Sequence, residues 1–189
     1  MRSPADNRGN DDGRCCSRPA LAARVGSVHA ARNRWRTAAH CWPTTTPPLI
    51  QADAADPASI FDNPVTREFI DFEQPFAVLL SGILHHLTDE QDPPGITAYI
   101  KSRMTSGSYL LVTNFLDDDN PRAREVQEII NNGFGTGFFR TWEQQRVYFE
   151  GLELVEPGLV YANEWRPDDR TTKDSAWTTF NCGGIGYKA

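Results

Sequence analysis

Two adjacent histidines, His85 and His86, stand where an apolar stretch from Phe76 gives way to the polar run Thr88, Asp89, Glu90 and Gln91. A histidine at the end of a strand can hydrogen-bond a bound ligand or move a proton near neutral pH. Asp53 holds a similar position after Leu49 to Ala52. A carboxylate there can accept a hydrogen bond from an exocyclic amine such as that of adenine, or simply cap the next helix, as Asp56 also could. The acids Asp117 to Asp119 could in principle join the histidines around a metal ion. Adjacent histidines on a strand point to opposite faces, however, and three aspartates before a helix read better as a solvated helix start, so no metal centre is expected.

These groups need elements to hold them. "LIQAD" reads as a short strand ending at Asp53, followed by a helix with Asp56 as cap and Pro57 in its first turn. Phe76 to Leu84 is almost wholly apolar and predicts a strand buried on both faces, as in a parallel sheet. Asp92 then caps a helix with Ile96, Tyr99, Ile100 and Met104 on one face and Gly107 as its stop. Ser108 to Phe115 is a second buried strand, and "DDDNP" introduces a helix carrying Ala123, Val126, Ile129 and Ile130. Thr141 and Gln144 form a capping box for "TWEQQRVYFE"; "LELVEPGLVY" and "CGGIGYKA" are late β segments. Strands alternating with helices predict a doubly wound α/β sheet, closed by an antiparallel strand pair at its late edge.

Charge divides the chain. Residues 1–48 carry eight Arg and three Asp, a net +5, whereas residues 49–189 carry a net −11. From Arg14 to Pro48 no apolar periodicity is legible, so 1–48 is expected to be an irregular leader and 49–189 the folded domain. The acidic body argues against a nucleic-acid partner, and the longest apolar run, Phe76 to Leu87, is too short to span a bilayer. Cys15, Cys16, Cys41 and Cys182 make no CxxC pair or zinc set, which fits a reducing cytoplasm. "NNGFGTGFF", from Asn131 to Phe139, follows a helix instead of a strand, so it reads as a cover over a site and not as a phosphate cradle. Trp142, Tyr148, Phe149, Trp165 and Trp177 are read first as packing and second as an acceptor pocket.

In one order, "LIQADAADP", "FDNPVTREFIDFEQPFAVLLSGILHHLTDEQDPPGITAYI", "SGSYLLVTNF", "GLELVEPGLV", "EWRPD" and "GGIGYKA" resemble the actinobacterial S-adenosyl methyltransferase family, within the class I S-adenosylmethionine-dependent methyltransferases. The resemblance covers most of residues 49–189 and implies a Rossmann-like class I methyltransferase sheet, incomplete on its N-terminal side. It implies S-adenosyl-L-methionine as methyl donor and a small-molecule acceptor. Asp53 would face the adenine, with Ala54 beside it offering a backbone N–H. Ser81, Gly82, Leu84 and His85 would line the sulfonium and amino-acid side.

The family's first strand with its glycine loop, and the acid ending its second strand, have no counterpart before Leu49; "RVGSVHAA" has one glycine and no preceding apolar strand. Three Lys against 16 Arg point to a GC-rich gene. Read from the third base of each codon, residues 33–46 can encode an amphipathic helix where the family has one, so residues 1–48 are expected to be non-native in part and donor binding weak. The competing expectation is a non-catalytic remnant or interaction module of the same fold. His86 is a possible base by position alone, and no catalytic residue is assigned.

Overall fold

A computed structural model describes residues 49–171 and 179–189, with the backbone of Arg24 and Val25. Arg24–Val25 (β1) pairs in parallel with Leu49–Ile50 (β2), a two-residue ladder apart from the main sheet. The rest of the expected leader, with Cys15, Cys16 and Cys41, lies outside the described residues. The "LIQAD" strand is shorter than expected because the Asp53 side chain accepts the Ala55 N–H at 2.9 Å and its carbonyl accepts that of Asp56, turning the chain.

Two short helices follow, Pro57–Phe61 (α1) and Pro64–Phe69 (α2), each started by proline and capped as such sequences allow, by Asp56 on Ser59 N–H and by Asn63 on Val65 N–H. Strand Ala77–Ser81 (β3) leads to helix Pro93–Arg103 (α3), which Asp92 caps through Gly95 N–H. This helix stops before the expected Gly107; Gly107 instead makes the positive-φ turn into Tyr109–Phe115 (β4). Asn120 caps Pro121–Phe134 (α4), and the Thr141–Gln144 capping box starts Trp142–Val147 (α5) as expected.

The main sheet runs β3-β4-β7-β5, where β5 is Glu153–Leu154 and β7 is Asn181–Tyr187; Val160–Tyr161 (β6) also pairs with β7. β3 and β4 are parallel, in register from Ala77↔Tyr109 to Ser81↔Thr113. β7 lies antiparallel to β4, β5 and β6, which gives the expected late antiparallel edge. Gly186 permits the closeness there: a Cβ on it would stand 2.7 Å from Leu152.

The core lies on one face of this sheet. Ile96, Ile100 and Met104 of α3 pack with Leu110, Val112, Phe61, Tyr148 and Phe149, and each such side chain contributes roughly 1.5–3 kcal/mol by leaving water. β3 is not buried on both faces. Val78 and Leu80 face the core, whereas Ala77 and Ser81 are exposed and Leu79 is 64 % exposed, because β3 is the edge of the five-stranded sheet and no described residue covers its other face. Ile129 likewise lies outside its expected face; of the four residues named for α4, Ala123 alone is fully buried. No described helix is long and apolar enough to cross a membrane.

Candidate functional site

The carboxyl ends of β3 and β4 lie side by side, and the chain leaves β3 through a turn fixed to β4. Gly82, at φ 66°, donates its N–H to the Thr113 carbonyl at 3.0 Å and to the Thr113 hydroxyl at 3.2 Å. The Ser81 hydroxyl is 3.3 Å from the same threonine oxygen. A left-handed residue here is natural for glycine, and it swings the chain into a 3-10 turn, Leu84–His86. The histidines are therefore not on opposite faces of a strand. The strand has already ended at Ser81, and their rings lie 4.3 Å apart.

Leu84 is fully buried in the core and anchors the turn, so it can shape a ligand site but not touch a ligand directly. His85 is buried and stacked on Phe115 at 3.9 Å between ring centroids. Burial above all, then the neighbouring His86 and the Arg140 cation, push its pKa down to about 3, while Asn114 acts weakly in the opposite sense. His85 Nδ1 and Asn114 Oδ1 are both buried and make no bond of hydrogen-bonding geometry; proximity alone couples them. His86 is half-buried, with Nδ1 2.9 Å from the Thr136 hydroxyl. Burial lowers its pKa too, and its contact with Thr136 opposes that shift.

At the end of β4, the Asp118 carboxylate accepts from the Tyr161 hydroxyl at 2.8 Å and from Asn120 N–H at 3.2 Å. Burial and this bond push the Tyr161 hydroxyl up to about 12. Asp117 accepts from Asp119 N–H; the three acids precede the helix, which Asn120 caps, and Asp118, tied to Tyr161, is not the solvated acid expected. Among the described residues no three His, Cys, Asp or Glu side chains gather in a cluster able to hold a metal ion. Tyr148 and Phe149 pack in the core, Trp142 meets Tyr161 edge-on, and Trp177 lies outside the described residues.

Ser81, Gly82, Leu84 and His85 thus share one turn. Asp53 and Ala54 follow β2 in the separate ladder, with no hydrogen bond to that turn among the described residues. Asp53 is exposed and commits one carboxylate oxygen to Ala55. Arg140 was not expected from the sequence. It is buried and reaches the histidine turn from the far end of "NNGFGTGFF", and nothing in its local sequence marks it as internal.

A family profile described as S-adenosyl methyltransferase matches residues 40–189, beginning a little before Leu49. The crystal structure of a candidate methyltransferase from Thermobifida fusca is 34 % identical, with a TM-score of 0.69 over 74 % of this chain and 53 % of that one. A DUF574-family protein from Streptomyces avermitilis is 31 % identical, with a TM-score of 0.68 over 75 % of this chain and 55 % of that one. The chain spans about half the length of each. No curated protein matches it.

Proposed function

Since the chain belongs to the S-adenosyl methyltransferase family, we propose that it binds S-adenosyl-L-methionine against the Ser81–His86 turn and transfers the methyl group to a small molecule. The observation that carries this reading is the turn itself: a positive-φ glycine just past the end of β3, followed by a buried imidazole held neutral. In an open α/β sheet, the carboxyl ends of adjacent parallel strands are where ligands bind.

Three features of the chain fit such a donor. Gly82 carries no side chain and is part-exposed, so its backbone lies near the surface beside the His85 ring, where a Cβ would stand 3.5 Å from Cε1. His85 sets an uncharged imidazole within the turn, so it adds no like charge near the sulfonium. Asp53 has a free carboxylate oxygen for the adenine amine, with Ala54 N–H beside it. The bound donor would supply an electrophilic methyl group. The protein's own part is to orient an acceptor in line with it and to exclude water. His86 is the residue placed to hold a proton: with Nδ1–H donated to Thr136, its Nε2 is free to accept one. His85, neutral down to about pH 3, is too weak a base for that task.

The net −11 of residues 49–189 supports a small molecule over a polyanion as acceptor, and the free buried thiol of Cys182 suits a reducing cytoplasm. The open sheet face around Leu79 favours a second reading, an interaction module that retains the fold without the chemistry. Equilibrium dialysis of the full chain separates the two. Weak retention of S-adenosylhomocysteine, at about 100 micromolar or roughly −5.5 kcal/mol, is the expected result. A folded chain that retains none at millimolar ligand would sink the enzyme reading.

A further inference from the structure

We infer that Arg140 is a positioning residue for the histidine turn: its buried guanidinium fixes the backbone from Leu84 to Asp89 and so places His85 and His86 at the proposed donor site. Among the described residues, the three side-chain acceptors of Arg140 all lie between Leu84 and Asp89. Nη1 donates to the Leu84 carbonyl at 3.0 Å, and Nη2 to the Leu87 carbonyl at 2.7 Å and the Asp89 carboxylate at 2.9 Å. Its own backbone is held in turn, since its carbonyl accepts from Asp117 N–H at 3.0 Å and from the Gln145 side chain at 3.4 Å.

The residues before it work in the same direction. Thr136, Phe138 and Arg140, at alternate positions of an extended segment, bond in order to His86 Nδ1, the His85 carbonyl and the Leu84 carbonyl. The segment is a strap laid along the turn, tied at its back where the Gln127 side chain accepts Phe139 N–H.

An arginine is a costly way to fill this space. Its side chain is 5 % exposed, and its one acidic partner, Asp89, is 87 % exposed. Desolvating a cation against a single solvated counter-ion gains little stability over a well-packed apolar residue. What the planar fork supplies is geometry, because two carbonyls three residues apart are held at fixed separation by one rigid group. The charge supplies a second effect. The cations or potential cations that face His85 are Arg140 from the strap and His86 from the turn, with Asn114 and Phe115 facing it from β4. Arg140 therefore both sets where His85 sits and helps to keep it uncharged.

The test compares wild type, Arg140→Lys and Arg140→Gln in the full chain. Each is followed by NMR titration of the His85 Cε1–H, amide exchange of Leu87 and Phe138, and S-adenosylhomocysteine binding by calorimetry. Arg140→Gln is expected to raise the His85 midpoint, by less than burial lowers it, because the neighbouring charge is gone. Arg140→Lys keeps the charge and loses the fork, so the midpoint stays low while Leu87 and Phe138 amides exchange faster. Ligand affinity falls about tenfold in both variants, as for one lost positioning bond. A folded Arg140→Gln with unchanged His85 titration and affinity overturns the inference. If the glutamine variant does not fold, Arg140→Lys decides, and wild-type amide protection with wild-type affinity overturns it equally. The inference rests on the proposed donor site for its last step alone. Wild-type protein that binds no ligand, together with the expected titration and exchange changes, would refute that site and leave the role of Arg140 in the turn intact.

Discussion

His85 should be the main source of acid sensitivity in this fold between pH 7 and pH 5, and His85→Phe should remove it. The side chain is buried, and its pKa is pushed down to about 3 from the usual 6.5. Between those values the folded chain keeps the imidazole neutral while the unfolded chain binds a proton. Lowering the pH therefore favours unfolding; stability is retained above about pH 6.5 and lost as the pH falls toward 3. The loss is about 1.4 kcal/mol per unit, or roughly 2 kcal/mol by pH 5. His86, also lowered, adds to it in the same sense. Phenylalanine can stack on Phe115 and leaves no orphaned ring nitrogen, although the fit of the larger ring sets the absolute stability at pH 7. The slope does not depend on that fit. Urea unfolding at pH 7 and pH 5 is the assay, with wild type losing about 2 kcal/mol more than His85→Phe. Equal losses in the two proteins would show that His85 is solvated and that the neutral, buried imidazole of the proposed site does not exist.

Three further outcomes are expected. Asp53→Ala should cost less than about 1 kcal/mol of stability, since one exposed turn bond is lost, but should weaken S-adenosylhomocysteine binding several-fold by calorimetry; unchanged affinity removes Asp53 from the site. Gly186→Val should destabilise the chain by about 1–3 kcal/mol or more in urea, because its Cβ would meet Leu152 at 2.7 Å between β7 and the segment before β5. The ratio of S-adenosylmethionine to S-adenosylhomocysteine affinity should stay level from about pH 8 to pH 6 in wild type and in Arg140→Gln alike, because burial, the largest cause, keeps His85 uncharged there; a fall confined to the variant would show that Arg140 and not burial holds the imidazole neutral.

The sequence carried the parts of this fold that are locally encoded. Asp56, Asp92 and Thr141 with Gln144 cap where their types and spacing say they should, since a cap is a bond between residues two or three apart. The parallel β3–β4 pair and the antiparallel β7 follow from apolar runs and their connections. Burial of β3 on both faces does not follow from its apolar run, which records what could be covered, whereas the cover over each face is set by elements elsewhere in the chain. The histidines were placed at the right strand and in the wrong geometry. The positive φ of Gly82 depends on Thr113, 31 residues away, and no local pattern contains it. Arg140 was invisible for the same reason, its acceptors lying 51 to 56 residues earlier in the chain.

The charge state of the histidine pair bears directly on the proposed chemistry. The methyl donor of this family is a sulfonium cation, and two unit charges about 5 Å apart at an effective dielectric near 20 repel by roughly 3 kcal/mol, more than a hundredfold in affinity. A site built on two ordinary histidines would therefore weaken its own donor as the pH approached 6. Burial removes that difficulty for His85, and the proximity of the two rings makes charging both costlier still. Arg140 brings a cation back to the turn from which burial excludes a charged His85. Its Nη1 and Nη2 groups, however, point at the Leu84 and Leu87 carbonyls and at Asp89, so its field at the turn is partly cancelled by the dipoles and the carboxylate it binds. A guanidinium spent in this way can repel a proton from His85, its immediate neighbour, more strongly than it repels a ligand held further out. The same arrangement leaves His86, half-exposed and bonded through Nδ1, as the ring that can still exchange a proton with an acceptor.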